Sequence, residues 1–94
     1  MVEAQQQNDQ ALFRQAIDHY TWVVQRYEAS QDGTYRENVR ELATTSYMGL
    51  GAAYQRQGDL ERAKSYYQQC MENTTTAKTR QRCAELIKVI DGSG

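Results

Sequence analysis

Tyr47-Met48-Gly49-Leu50-Gly51-Ala52-Ala53-Tyr54-Gln55-Arg56-Gln57-Gly58-Asp59-Leu60 contains the end of one helix and the start of the next. Tyr47, Leu50 and Tyr54 recur at helical spacing. Gly49-Leu50-Gly51 falls inside that stripe and follows no strand, so it is not a phosphate-cradling loop. Gly58 supplies a left-handed stop, and Asp59 an N-cap for the helix that follows. Gly51 and, further on, Ala63 are small, so two antiparallel helices can approach closely where they cross. Tyr47, Tyr54 and Tyr67 then fill the space on either side.

The same spacing extends outward in both directions. Leu12, Phe13, Ala16, Tyr20, Val23, Val24 and Tyr27 make a stripe over residues 9 to 28, with Asp9 as a candidate N-cap. Asp32-Gly33 marks the next break. A second helix is expected from Tyr35 to Gln57, with Tyr35, Val39, Leu42, Ser46, Tyr47, Leu50 and Tyr54 along one side. A third, Leu60 to Glu72, carries Leu60, Ala63, Tyr67, Cys70 and Met71, and Asn73-Thr74-Thr75-Thr76 ends it. A fourth, Ala77 to Ile90, presents Cys83, Leu86, Ile87 and Ile90. No segment alternates as a strand does, and the fold class is all-α: four helices in a single domain, residues 1–91, with 92–94 as a tail or linker.

Composition sets the classes to exclude. The 94 residues hold no proline and balance 11 Lys and Arg against 12 Asp and Glu, for a net charge of −1. That balance disfavours nucleic acid or an anionic membrane as the main partner. The mean hydropathy is −0.87, and no stretch reaches the roughly 18 apolar residues of a membrane span. Met1-Val2-Glu3-Ala4 lacks the basic and apolar regions of a secretion signal, so the expected location is cytoplasmic. Cys70 and Cys83 are too few to staple a mini-protein, and they pair only if the fold brings their helices together.

The first and third helices echo each other: Ala16, Tyr20 and Val23 are spaced as Ala63, Tyr67 and Cys70 are, 47 residues later, and Phe13 matches Leu60. Tyr47, Leu50-Gly51, Tyr54, Gly58, Ala63, Tyr67 and Cys70 together resemble the signature of a tetratricopeptide repeat over residues 44 to 77, with Cys70 in place of a usual Ala and Thr75 in place of the terminal Pro. Residues 11 to 28 resemble the second half of an earlier repeat, and the last helix the first half of a later one. The resemblance implies stacked antiparallel hairpins. The family's unit is about 34 residues, so an offset of 47 leaves 13 extra residues between Gln31 and Ala43. They are expected to lengthen the second helix by about three turns and to pack on Val23, Val24 and Tyr27; the alternative is a partner surface.

The resemblance also implies a concave groove lined by Thr45, Met48, Gly49, Ala52, Gln55 and Arg56, joined by Gln81, Glu85 and Lys88 from the last helix. Such a surface receives a peptide or helix of a partner protein, with Met48 as an adaptable apolar contact and Arg56 and Lys88 pairing with acidic groups. Met48 and Ala52 occupy the places of the Lys and Asn with which some relatives grip a terminal carboxylate, so that clamp is not expected. Trp22 falls about 120° from Ala16 at roughly 100° per residue, beside Gln15, His19 and Arg26. It is either an interface anchor or packed locally, against the amino-terminal segment or on Arg26.

His19, the single histidine, lacks the neighbours of a general base, and with Cys70 and Cys83 it lacks zinc-site spacing. Both cysteines fall at packing positions, where an unpaired buried thiol acts as a small hydrophobe, and Met48 and Met71 are expected as contact residues. Lys78, Arg80, Arg82 and Lys88 form a modest basic run, read as a solvated face. The expectation is therefore a non-enzymatic scaffold or adaptor without cofactor or metal, whose partner is a protein. The alternative is a self-assembly module in which identical chains cover each other's terminal helical faces.

Overall fold

A computed structural model describes residues 2–93, with side chains described over 11–92. Four helices follow one another: α1 (Val2–Ala29), α2 (Gly33–Gln57), α3 (Leu60–Asn73) and α4 (Ala77–Ser93). The described residues contain no strand. Because α1 is helical from Val2, Asp9 lies within it and does not start it; its side chain falls outside the described set. α4 runs past Gly92 to Ser93.

Capping explains the other boundaries. The Asp32 carboxylate accepts from the N–H groups of Thr34, at 3.0 Å, and Tyr35, at 3.3 Å. α2 therefore starts two residues earlier than the sequence spacing predicts, and Gly33 is its first helical residue. Gly58 alone among the described residues has positive φ, at 85°, and ends α2 as a left-handed cap. Asp59 accepts from the Arg62 N–H at 3.2 Å and starts α3. Thr76 does the same for α4 through the Thr79 N–H, at 3.3 Å.

Each helix packs antiparallel on the one before it. Arg56, near the end of α2, lies over Phe13 of α1, whereas Arg36 near its start lies over Tyr27. Gln55 meets Tyr67 of α3, and Arg40 meets Asn73 at the far end. The two interior glycines face opposite neighbours. A Cβ on Gly49 would fall 2.5 Å from the Tyr20 ring of α1, and one on Gly51 2.5 Å from the Tyr67 ring of α3. Each glycine is a socket for an aromatic ring from an adjacent helix. The core between them is Val24, Tyr27, Ala43, Tyr47, Leu50, Ala63, Tyr67, Cys70, Cys83 and Ile90.

The extra residues of α2 do pack internally. The Arg36 guanidinium stands 4.4 Å above the Tyr27 ring and donates to the carbonyls of Tyr27, at 2.6 Å, and Ser30, at 3.2 Å. Arg40 donates to the Asn73 carbonyl at 2.6 Å, and Tyr27 donates its hydroxyl to Asn73 Oδ1 at 3.0 Å. Glu41 accepts from both the N–H and the hydroxyl of Thr75, the residue in the place of the expected Pro. These two hydrogen bonds hold the Glu41 carboxyl below its ordinary range. The overhang thus satisfies the free carbonyls at the ends of α1 and α3.

Three leucines assigned to buried stripes are instead exposed: Leu12 (62%), Leu42 (55%) and, less so, Leu60; Tyr35 is also exposed. A helical stripe locates a face but not its width. These residues lie at margins that no other described helix covers.

Candidate functional site

Met48, Ala52, Gln55 and Arg56 recur at intervals that place them on one face of α2. Arg82 and Leu86, one turn apart on α4, stand across from them. Between the two walls, with the Tyr67 ring of α3 as floor, runs an open groove of about 400 Å³. Met48 and Leu86 are half-buried, while Ala52, Arg56 and Arg82 are exposed. The Tyr67 hydroxyl donates to Gln55 Oε1 at 2.8 Å, which fixes the floor to the α2 wall. Burial pushes the Tyr67 hydroxyl above its ordinary pKa, with Arg82 acting weakly in the opposite direction. Tyr67 is therefore a neutral ring and hydrogen-bond donor at neutral pH. Among the described residues, ion pairs join Arg40 to Glu37, Arg62 to Asp59 and Lys64 to Asp91. Arg56 and Arg82 take part in none of them.

The spacing of the two walls is informative. Arg82 and Leu86 stand one repeat length after Met48 and Ala52. Residues 44–74 match the family model of the tetratricopeptide repeat. These residues form a tetratricopeptide repeat. The family is in general one of protein–protein interaction modules and is typically non-catalytic. Neither a characterised protein nor a solved structure matches the chain.

The repeat's register sorts the expected groove residues. Met48, Ala52, Gln55 and Arg56 come together as expected. Thr45 is exposed one turn earlier and does not line the groove. Gly49 is the socket under Tyr20 and is removed from the groove by α1. Gln81, Glu85 and Lys88 are exposed on α4 but do not line the groove either. They stand one repeat length after Tyr47, Gly51 and Tyr54, the positions with which the repeat's first helix receives its second. In α4 that face is solvent-exposed, and Gln81 approaches Glu85 at 3.5 Å. Arg82 and Leu86, one repeat length after Met48 and Ala52, line the groove instead.

Trp22 lies outside the groove. It is 57% exposed on α1, and the Arg26 guanidinium is 4.9 Å from its ring centroid, so it is both accessible and locally stacked. His19 is exposed next to it on the same helix, its ring 6.0 Å from that of Tyr20.

The repeat's other face, where α1 and α3 flank Tyr47, holds a column of rings. Tyr54 and Tyr66 stack at 5.7 Å, Tyr47 meets Tyr66 at 6.4 Å, and Arg62 covers Tyr54 at 5.3 Å. Burial, reinforced by the Glu28 carboxylate, raises the Tyr47 hydroxyl well above its ordinary pKa, and burial raises that of Tyr66 too. These rings are structural.

The fold decides the cysteine pairing that the sequence leaves open: Cys70 and Cys83 are joined as a disulfide, with both residues completely buried and their Cα atoms 6.5 Å apart. Cys70 occupies the family's small-residue position where α4 crosses α3, and Cys83 is the residue of α4 that meets it. Sequence spacing could place each on a packing face but could not place the two faces against each other.

Proposed function

We propose that the groove between α2 and α4 binds an extended or helical segment of a partner protein that carries apolar and acidic side chains. The observation behind this reading is the pairing of an apolar strip, Met48, Ala52 and Leu86, with Arg56 and Arg82, two arginines that make no ion pair among the described residues. Apolar side chains of the partner displace water from the strip, and carboxylates at its edge meet the guanidinium groups. Two arginines on opposite walls favour a segment with acidic residues on both sides of its apolar ones. The proposed role is scaffolding or adaptation without chemistry.

A synthetic peptide alternating Leu and Glu serves as the probe. Met48→Glu combined with Arg56→Glu should weaken its binding by roughly tenfold or more, measured by calorimetry, because about 1.4 kcal/mol suffices for each tenfold step. Both positions are at least partly solvent-exposed, so helix content should stay unchanged. Unaltered affinity with intact helicity rules the groove out.

A second reading has its own support. Leu12, Trp22 and Leu42, all more than half exposed on α1 and α2, favour a second copy of the chain as a covering partner. Sedimentation over a concentration series should then show a dimer appearing at high concentration and weakening in Trp22→Ala. A monomer throughout rejects this reading.

No helix among the described residues is long and apolar enough to cross a membrane. The disulfide supports a location where thiols are oxidised over the cytoplasm expected from the sequence.

A further inference from the structure

α4 supplies one wall of the groove, yet it is the least firmly held of the helices that form it. It packs chiefly on α3. Of its described side chains, only Cys83 and Ile90 are buried, with Thr79, Ala84, Leu86 and Ile87 half-buried. Its polar ties to α3 and the turn after it include the exposed Lys64–Asp91 ion pair at 2.8 Å, an exposed bond from Arg80 to the Met71 carbonyl at 3.4 Å, and a part-buried one from Arg80 to the Thr74 carbonyl at 3.2 Å. Exposed pairs of this kind hold a helix weakly. α2 and α3, by contrast, are locked by the Tyr67 ring seated on Gly51. The disulfide is the covalent link between α4 and α3 beyond the turn.

Its position matters to the groove. Cys83 follows Arg82 directly and precedes Leu86 by three residues, so the bond anchors the helical turn that bears both wall residues. On the other side, Cys70 follows the floor residue Tyr67 by three.

We infer that the Cys70–Cys83 disulfide regulates the groove: oxidised, it holds Arg82 and Leu86 opposite Met48 and Arg56, and reduced, it releases that wall. The inference rests on the groove being the binding site. The reductant is a dithiol. One of its thiolates attacks a cysteine sulfur, breaking the S–S bond and forming a mixed disulfide, and its second thiolate then attacks the reductant's own bound sulfur, releasing the cysteine thiolate as the reductant closes to a cyclic disulfide. Two electrons pass to the protein, and Cys70 and Cys83 each end with a proton. Because both sulfurs are buried, attack awaits transient opening of α4. Two unbonded thiols also need more room than one disulfide in a packed interior, which resists reclosure.

Amide hydrogen exchange on the full chain, oxidised and dithiol-reduced at one pH, tests this together with titration of the Leu/Glu probe peptide. Reduction should accelerate exchange across α4 tenfold or more, leave the α2 and α3 amides near their oxidised rates, and weaken the probe tenfold or more. Cys70→Ala/Cys83→Val, which keeps apolar side chains without a bond, should match the reduced chain. Unchanged α4 exchange overturns the inference, as does equal acceleration in all helices, which would make the bond a staple of the whole fold. Probe affinity that survives reduction overturns the regulation alone. No probe binding by the oxidised chain overturns the groove reading, and the regulation with it.

Discussion

Tyr67→Ala should lower the free energy of unfolding by about 3–5 kcal/mol, the range for truncating a buried aromatic to alanine. The ring is 1% exposed and rests on Gly51, which has no side chain to move into the vacated space. Tyr67 belongs to the same buried cluster as the fully buried Leu50, Ala63, Cys70 and Cys83, so its truncation leaves a void in a packed interior. A domain of this size is stable by about 5–14 kcal/mol on typical per-residue values, so about a fifth or more of that is at stake. Tyr67→Phe separates the ring from its hydroxyl. It loses only the hydrogen bond to Gln55 and should cost about 0.5–1.5 kcal/mol, since half-buried Gln55 can turn to water. Urea unfolding of the two variants measures the difference. A loss below about 1 kcal/mol in Tyr67→Ala contradicts a ring seated between helices.

Arg36→Ala is expected to cost about 2–3 kcal/mol. This variant removes two charge-assisted hydrogen bonds to the carbonyls of Tyr27 and Ser30, together with the stacking on Tyr27. Partial solvent access keeps the loss below the sum of those contributions. Arg36→Lys retains charge but not the flat fork that reaches two carbonyls while lying on a ring, so it should recover less than half of the loss. Thermal melts of both variants check this. An unperturbed Arg36→Ala melt means that the α2 overhang does not brace the end of α1, which would return it to consideration as a partner surface.

The two predictions rest on parts of the fold that differed in legibility. Gly51, Tyr67, Gly58 and Asp59 sit at fixed separations whose physical demands are local: a small residue under a ring, a left-handed stop, a carboxylate on a free N–H. The sequence could be read there without coordinates. The overhang was legible in length, from the mismatch between the observed offset and the family's repeat length, and in its packing on Tyr27. Its contacts were not. Arg36, Arg40 and Glu41 have no apolar periodicity to reveal them, and their partners are helix-end carbonyls and a threonine that lie far away along the chain in most cases.

The groove divided in the same way. Its α2 wall followed from the resemblance to the repeat, whose groove positions lie on one helix. Its α4 wall depends on how far that helix is turned about its own axis, and the structure turns Arg82 and Leu86, rather than Gln81, Glu85 and Lys88, toward the groove. The buried stripe Cys83, Leu86, Ile87 and Ile90 already constrained that rotation, but Leu86 serves both the core and the groove edge, and a binary pattern cannot express both.

By itself the sequence determined the helices, their order, the Gly58 stop and Asp59 cap between α2 and α3, and the close approach of those two helices, because each depends on residues near one another in the chain or on the size of a single side chain. The tertiary structure decided which margins stay exposed, which wall α4 presents and whether Cys70 and Cys83 meet. Those outcomes depend on the relative rotation of packed helices, which is set by all their contacts at once and by no one segment.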